Sequence, residues 1–169
     1  MAQATLPGLK SGTYKVLFVC TGNICRSPTA EAVFRHHVTA AGLANRIGIE
    51  SAGTHTFHVG ESPDSRTIAA GAARGFDMSA MRARKVGHDD FEVFDLMLAM
   101  DKGHQSHLSA LKPNDARATI KLFLDYHPKL TGQNVPDPYY GGPDDFNQVL
   151  AMIEEASRGL LTEIKRHLK

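Results

Sequence analysis

One stretch, Tyr14 to Glu31 (Y-K-V-L-F-V-C-T-G-N-I-C-R-S-P-T-A-E), limits the possible folds more than any other part of the chain. Val16-Leu17-Phe18-Val19 is a short apolar, β-rich run of the kind that makes a strand covered on both faces. Thr21-Gly22-Asn23 breaks it with turn chemistry. Ser27 then suits a helix N-cap, and Pro28 the first helical position, where no N–H is needed. A tight strand-loop-helix joint aims its loop N–H groups at one spot, and the helix dipole makes that spot favour anions. Cys20 and Arg26 both lie in this joint. Nearby positive charge turns a thiol into a thiolate. A guanidinium offers a planar fork that matches phosphate oxygens. The stretch thus supplies a nucleophile in Cys20 and an oxyanion clamp in Arg26. Thr21, Gly22, Asn23, Ile24 and Cys25 between them, with Ser27 just after, form a cradle. Taken singly, Cys20 reads as a small buried residue and Arg26 as a solvated charge; the whole string is what points to chemistry.

The rest of the chain alternates strands with helices. Residues 28 to about 41 carry a partial apolar face of Ala32, Val33, Val38 and Ala41, and Gly42 is a helix stop. Ile47 and Ile49 begin a second strand that runs into Ser51. Ser62-Pro63 is expected to open a helix bearing Ile68, Ala69, Ala72 and Ala73, ended by Gly75. Residues 95–100 (D-L-M-L-A-M) and 119–124 (T-I-K-L-F-L) are two further apolar runs. A last helix is capped by Asp144 or Asp145. It carries Phe146, Val149, Leu150, Ile153, Leu160, Leu161 and Ile164 at helical spacing. Gly159 inside it marks either weakness or close packing. This order of elements predicts an α/β fold: one three-layer domain, a parallel sheet with helices on both faces. Ligands of such sheets bind beyond the carboxyl ends of strands, where strand order reverses, and Cys20 ends the first strand.

Composition narrows the function classes. At 169 residues, one domain with a proper core is the expectation. The net charge of +1 gives no ground for a nucleic-acid or membrane surface. Two cysteines make no disulfide framework, so a reducing cytoplasm is the simpler home. Residues 1–13, polar and carrying Pro7, Gly8 and Gly12, read as a mobile leader ahead of a catalytic domain over 14–169. A monomer is expected.

The string C-T-G-N-I-C-R-S-P resembles the signature loop of the low-molecular-weight protein tyrosine phosphatases. The resemblance extends, in the family's order, to Ser51-Ala52-Gly53-Thr54, Met100-Asp101 and Asp137-Pro138-Tyr139-Tyr140. It implies a four-stranded sheet in the order 2-1-3-4. It also implies metal-independent hydrolysis of phosphotyrosine proteins or aryl phosphates through a phosphocysteine on Cys20, without a cofactor. Inorganic phosphate and similar oxyanions are then inhibitors. A leaving phenolate needs a proton, and Asp137 is the candidate donor in V-P-D-P-Y-Y-G-G; as plain turn chemistry it would be an ordinary loop aspartate. By the same resemblance Ser27 stabilises the Cys20 thiolate, while Asn23, with Ser51, holds the loop. Phe57, Tyr139 and Tyr140 form aromatic pocket walls, and Thr21 is the variable loop position that tunes selectivity. Cys25 captures an oxidised Cys20 as a disulfide in that family, which makes redox sensitivity an expectation here. One departure stands out. The histidine many members carry near this network is replaced in Ser79-Ala80-Met81-Arg82, which leaves the bracing of the loop open.

Two other features carry little. His55-x-x-His58 and His104-x-x-His107 lack cysteine or carboxylate partners at metal-site spacing and read as surface histidines. Arg82, Arg84 and Lys85 read as a solvated basic face. Two rival functions remain: arsenate reduction on the same scaffold, and non-catalytic phosphate or phosphopeptide binding. The first needs redox cysteines beyond Cys25, and the second has no need of both a nucleophile and an acid.

Overall fold

The computed structural model describes residues 13–168. The leader expected over residues 1–13 therefore lies almost wholly outside the described residues. Four parallel strands, β1 (Tyr14–Cys20), β2 (Ile47–Gly53), β3 (Leu96–Ala99) and β4 (Thr119–Leu122), pair in the order β2-β1-β3-β4. This is the 2-1-3-4 sheet the resemblance implies. Strand β1 is central because its side chains are apolar on both faces. Tyr14, Val16, Phe18 and Cys20 pack into one core with Val33, Phe34, Val149 and Ile153. Leu17 and Val19 pack into the other with Phe91, Met97 and Leu108. The first core lies under α1 (Arg26–Ala40) and α5 (Pro143–His167). The second lies under the short α3 (Asp90–Val93) and α4 (Lys102–Leu111); α2 (Ser65–Ala72) flanks α5.

Local details differ from the sequence expectations for identifiable reasons. Helix α1 starts at Arg26, one residue before Ser27, and has no side-chain cap. The Ser27 hydroxyl is turned inward to Cys20 instead. Pro28 still falls in the first turn, where N–H groups have no intrahelical partner. Helix α2 begins after Asp64, whose carboxylate accepts the Arg66 N–H at 2.9 Å, not at Ser62-Pro63. Helix α5 is entered from Gly142 with Pro143 first. Asp145 lies one turn in and accepts the Gly142 N–H at 2.8 Å, and neither Asp144 nor Asp145 is the cap residue. The run 119–124 leaves the sheet after Leu122 and tightens into a 3₁₀ turn, Phe123–Tyr126. Helix α4 went unread in the sequence because K-G-H-Q-S-H-L-S-A-L has too few apolar residues to show a period. Gly159 reflects close packing: any Cβ there would collide with the Tyr126 carbonyl. Among the described residues, no helix is long and apolar enough to cross a membrane.

Candidate active site

Parallel register places the ends of β1 and β3 side by side, with Val19 opposite Ala99. The chain leaving β1 is the Cys20–Arg26 loop; the chain leaving β3 passes through Met100-Asp101 into α4. A third segment, around Asp137, lies over both. A cleft of about 260 Å³ forms there, lined by Cys20, Thr21, Gly22, Ile24, Cys25, Arg26, Asp137 and the aromatic residues Phe57, Tyr139 and Tyr140, with His58 beside them. The expected nucleophile, clamp, acid and aromatic walls thus lie along one cleft, while Asn23 and Ser27 of the expected cradle sit behind its lining. Phe57 and Tyr140 stand largely free at its rim, at 68% and 94% exposure.

The loop is shaped to receive an anion. Among the described residues, no acceptor takes the backbone N–H groups of Gly22, Asn23, Ile24 or Cys25. Such unpartnered donors at a helix entry favour negative charge. Gly53 lies directly beneath: a Cβ there would stand 2.6 Å from the Thr21 carbonyl oxygen, so only glycine lets β2 approach the loop this closely. Asn23 takes φ = +60°, a left-handed conformation uncommon outside glycine.

That conformation is held by a continuous network. Asn23 Nδ2 donates to Ser27 Oγ at 2.8 Å and to Ser51 Oγ at 2.9 Å. Its Oδ1 accepts the Arg84 backbone N–H at 3.0 Å. Ser51 Oγ donates to Glu31 Oε1 at 2.6 Å, and Arg35 holds the other Glu31 oxygen at 2.7 Å. Ser27 Oγ is 3.0 Å from Cys20 Sγ. Bracing without the usual histidine thus falls to Glu31 and to Arg84, neither of which was legible as a site residue. Arg84 is no solvated charge: its guanidinium grips both Asp90 oxygens at 3.0 and 3.1 Å and reaches Glu50 at 3.2 Å. Arg82 and Lys85 are exposed, as a solvated face requires.

Arg26 is buried, and NH1 donates to Asp101 Oδ2 at 2.9 Å and to the Val135 carbonyl at 3.1 Å. NH2 lies 3.6 Å from Asp137 Oδ2. Asp137 is half-exposed and accepts the Tyr139 N–H at 3.1 Å, so the turn role and a site role coexist. Cys20 and Cys25 are both free and buried. Burial, first, pushes the Cys25 thiol up to about 12, which keeps it protonated at neutral pH. His104 overturns the surface reading of the histidines: it is buried, with Nε2 2.7 Å from Thr21 Oγ1. Among the described residues, no three His, Cys, Asp or Glu side chains converge to hold a metal ion.

Known proteins share both sheet and sequence. Residues 15–169 match the family model for the low molecular weight phosphotyrosine protein phosphatases. A low molecular weight protein-tyrosine-phosphatase of Streptomyces coelicolor is 45% identical over 93% of this chain and 97% of its own. The solved structure of a protein tyrosine phosphatase from Entamoeba histolytica superposes with a TM-score of 0.87, at 36% identity, over 91% of this chain and 98% of that one. Vibrio vulnificus Wzb, solved in complex with benzylphosphonate, gives a TM-score of 0.76 at 26% identity over 90% and 99% of the two chains. Fold, loop and relatives together define a phosphoric monoester hydrolase. The chain belongs to the low molecular weight phosphotyrosine protein phosphatase family.

Proposed function

We propose that this chain hydrolyses phosphotyrosine esters without a metal, through a phosphocysteine on Cys20, with Arg26 as phosphate clamp and Asp137 as general acid and then base. The observation that carries this reading is the meeting of Cys20, Arg26 and Asp137 in one cleft, with Asp137 Oδ2 3.6 Å from the guanidinium. The Cys20 thiolate attacks phosphorus, and the phosphorus–oxygen ester bond breaks. The leaving phenolate oxygen takes its proton from Asp137. Arg26 and the loop N–H groups hold the equatorial oxygens as charge builds on them. Water then attacks the phosphocysteine, Asp137 receives the water proton, and the phosphorus–sulfur bond breaks to return the thiolate. Ser27 donates to that sulfur and makes it a better leaving group. Tyr139, Tyr140 and Phe57 flank the space where a flat phenyl ring would lie. The relative solved with benzylphosphonate binds a compound of this shape, which supports an aryl substrate here.

The test is turnover of p-nitrophenyl phosphate and a phosphotyrosine peptide, with and without a chelator, by the wild type and by Cys20→Ser. Chelator-resistant turnover is expected in the wild type alone, with Cys20→Ser still binding vanadate, because serine is too weakly acidic to attack. Turnover that survives in Cys20→Ser would remove Cys20 from the mechanism. Loss of turnover with the chelator would overturn the metal-independent reading.

A further inference from the structure

His104 is a buried titratable side chain that the reaction above does not use. It sits in the first turn of α4 with its side chain 7% exposed. Its ring spans two parts of the site. Nε2 lies 2.7 Å from the hydroxyl of Thr21, the residue directly after the nucleophile. Nδ1 lies 3.1 Å from Asp101 Oδ1, out of line for a hydrogen bond, so that contact is electrostatic. The other oxygen of the same carboxylate holds Arg26 NH1 at 2.9 Å. Asp101 also accepts the His104 backbone N–H at 2.9 Å, which fixes the carboxylate at the start of the helix.

Four charged or titratable groups bear on the ring: Arg26 from α1, Asp101 from the start of α4, Asp137 from the covering loop, and His55 from the chain after β2. Burial, first, and then the Arg26 cation push the imidazole down to about 4, against the pull of the two carboxylates. The ring is therefore neutral at working pH and carries one proton. A carboxylate oxygen 3.1 Å from Nδ1 favours the positive N–H end of the ring over a bare nitrogen even off the hydrogen-bond line, so the proton belongs on Nδ1. Nε2 is then an acceptor, and the only proton available for the 2.7 Å contact is that of the Thr21 hydroxyl.

Resting on the phosphatase reading, we propose that His104 is a positioning residue of the phosphate cradle. Its ring, protonated at Nδ1, accepts the Thr21 hydroxyl proton and ties the wall beside the nucleophile to the carboxylate that holds the Arg26 clamp. The two ends of the cradle come from different strands, β1 for Cys20-Thr21 and β3 for Asp101-His104. Arg26 shares the β1 loop with Cys20, but the Asp101 carboxylate that aims its guanidinium comes from the β3 side, so the distance between sulfur and guanidinium depends on both segments. The Thr21–His104–Asp101–Arg26 chain joins them. It also commits the Thr21 hydroxyl proton away from the cleft, so Thr21 meets a bound phosphate without a side-chain donor. A freed Thr21 would turn, and a clamp no longer registered to the sulfur would lose in-line alignment.

The test combines spectroscopy with kinetics. A long-range ¹H–¹⁵N spectrum of the wild-type imidazoles should show His104 as the Nδ1–H form, with Nε2 unprotonated and perturbed by Thr21→Val. On p-nitrophenyl phosphate, His104→Phe and Thr21→Val should each lower kcat roughly tenfold, the scale of one lost hydrogen bond, with a smaller change in KM and with folding checked by melting temperature. The double variant should be no slower than either single, because both remove the same bond. His104→Gln can still accept the hydroxyl proton and should recover most of the rate. An Nε2–H ring in the wild type, or rate losses that multiply in the double variant, would overturn the proposal. A wild type that turns over no aryl phosphate would sink the phosphatase reading instead, and the spectrum would still decide the role of His104.

Discussion

Glu31 Oε1 accepts the Ser51 hydroxyl at 2.6 Å, and the Arg84 N–H on Asn23 Oδ1 turns the Asn23 amino group toward Ser51 and Ser27; together these two contacts give every hydrogen bond from Glu31 to Cys20 one direction. A carboxylate can only accept. Ser51 therefore spends its proton on Glu31 and takes one Asn23 N–H, and Asn23 gives its other N–H to Ser27. Ser27 Oγ, already an acceptor, keeps its own proton for Cys20 Sγ at 3.0 Å; the alternative acceptor, the Ala52 carbonyl, is at 3.5 Å.

Glu31→Gln should weaken this chain, because a neutral amide oxygen accepts the Ser51 proton less strongly than a carboxylate does. Inactivation of Cys20 by iodoacetate at fixed pH should slow by about tenfold or less, the scale of one ordinary net hydrogen bond, because the change reaches the sulfur only through Ser51, Asn23 and Ser27. Arg35→Met removes the surface ion pair with Glu31 but leaves the Ser51 contact, and it should alkylate like the wild type. Equal slowing in both variants would reduce Glu31 to a stabiliser of α1.

Asp137→Ala should slow phenyl phosphate far more than p-nitrophenyl phosphate. Phenolate leaves as a strong base and needs a proton, whereas p-nitrophenolate needs less help. General acid catalysis is typically worth roughly 10² to 10⁴ in rate, so the gap between the two substrates is measurable. A series of aryl phosphates compared in both proteins decides it. Uniform slowing would leave Asp137 as the turn residue that its bond to the Tyr139 N–H already makes it.

Cys25 should resist alkylation at neutral pH while Cys20 reacts. Burial holds the Cys25 thiol at about 12, and only thiolates are good nucleophiles. Peptide mapping after brief iodoacetamide treatment should find label on Cys20 alone. Cys25→Ser should keep near-normal turnover under reducing conditions and regain less activity than the wild type after peroxide and thiol treatment. Equal recovery would make Cys25 a packing residue.

The buried imidazole should also make the fold sensitive to mild acid. In the unfolded chain His104 titrates near 6.5, and in the folded chain near 4. Between those values the unfolded state binds more protons, so this contribution is complete above pH 6.5 and shrinks as pH falls toward 4. The loss over that window is on the order of 1–3 kcal/mol. Urea midpoints at pH 7 and pH 5 should therefore converge more in His104→Phe than in the wild type. An identical drop in the two proteins would show that the ring takes up its proton without cost.

The sequence was most legible where the structure is local. Cys20 and Arg26 could be read together because one strand, one turn and one helix entry carry both. Ser27 was misread as a cap for the same reason that it is useful: its hydroxyl is close enough to serve either the helix end or the sulfur, and sequence does not say which wins. The histidines failed in the opposite way. His104 sits in a helix with too few apolar residues to reveal its face, so nothing nearby marked it as the buried one. Arg84 looked like part of a charge run until Asp90 and Glu50 gave it partners.

The sequence by itself determined the element order, the central strand with two apolar faces, and the anion loop that follows it, since each depends on periodicity and turn chemistry within a few neighbouring residues. The tertiary structure alone decided what the loop meets. Setting β3 beside β1 brings Asp101 and His104 to Arg26 and Thr21, and setting β2 on the other side brings Ser51 to Asn23. Those pairings follow from which strands share hydrogen bonds and from how two apolar cores close over the sheet. Both are sums over many weak contacts between distant residues, and no single stretch of the chain contains them.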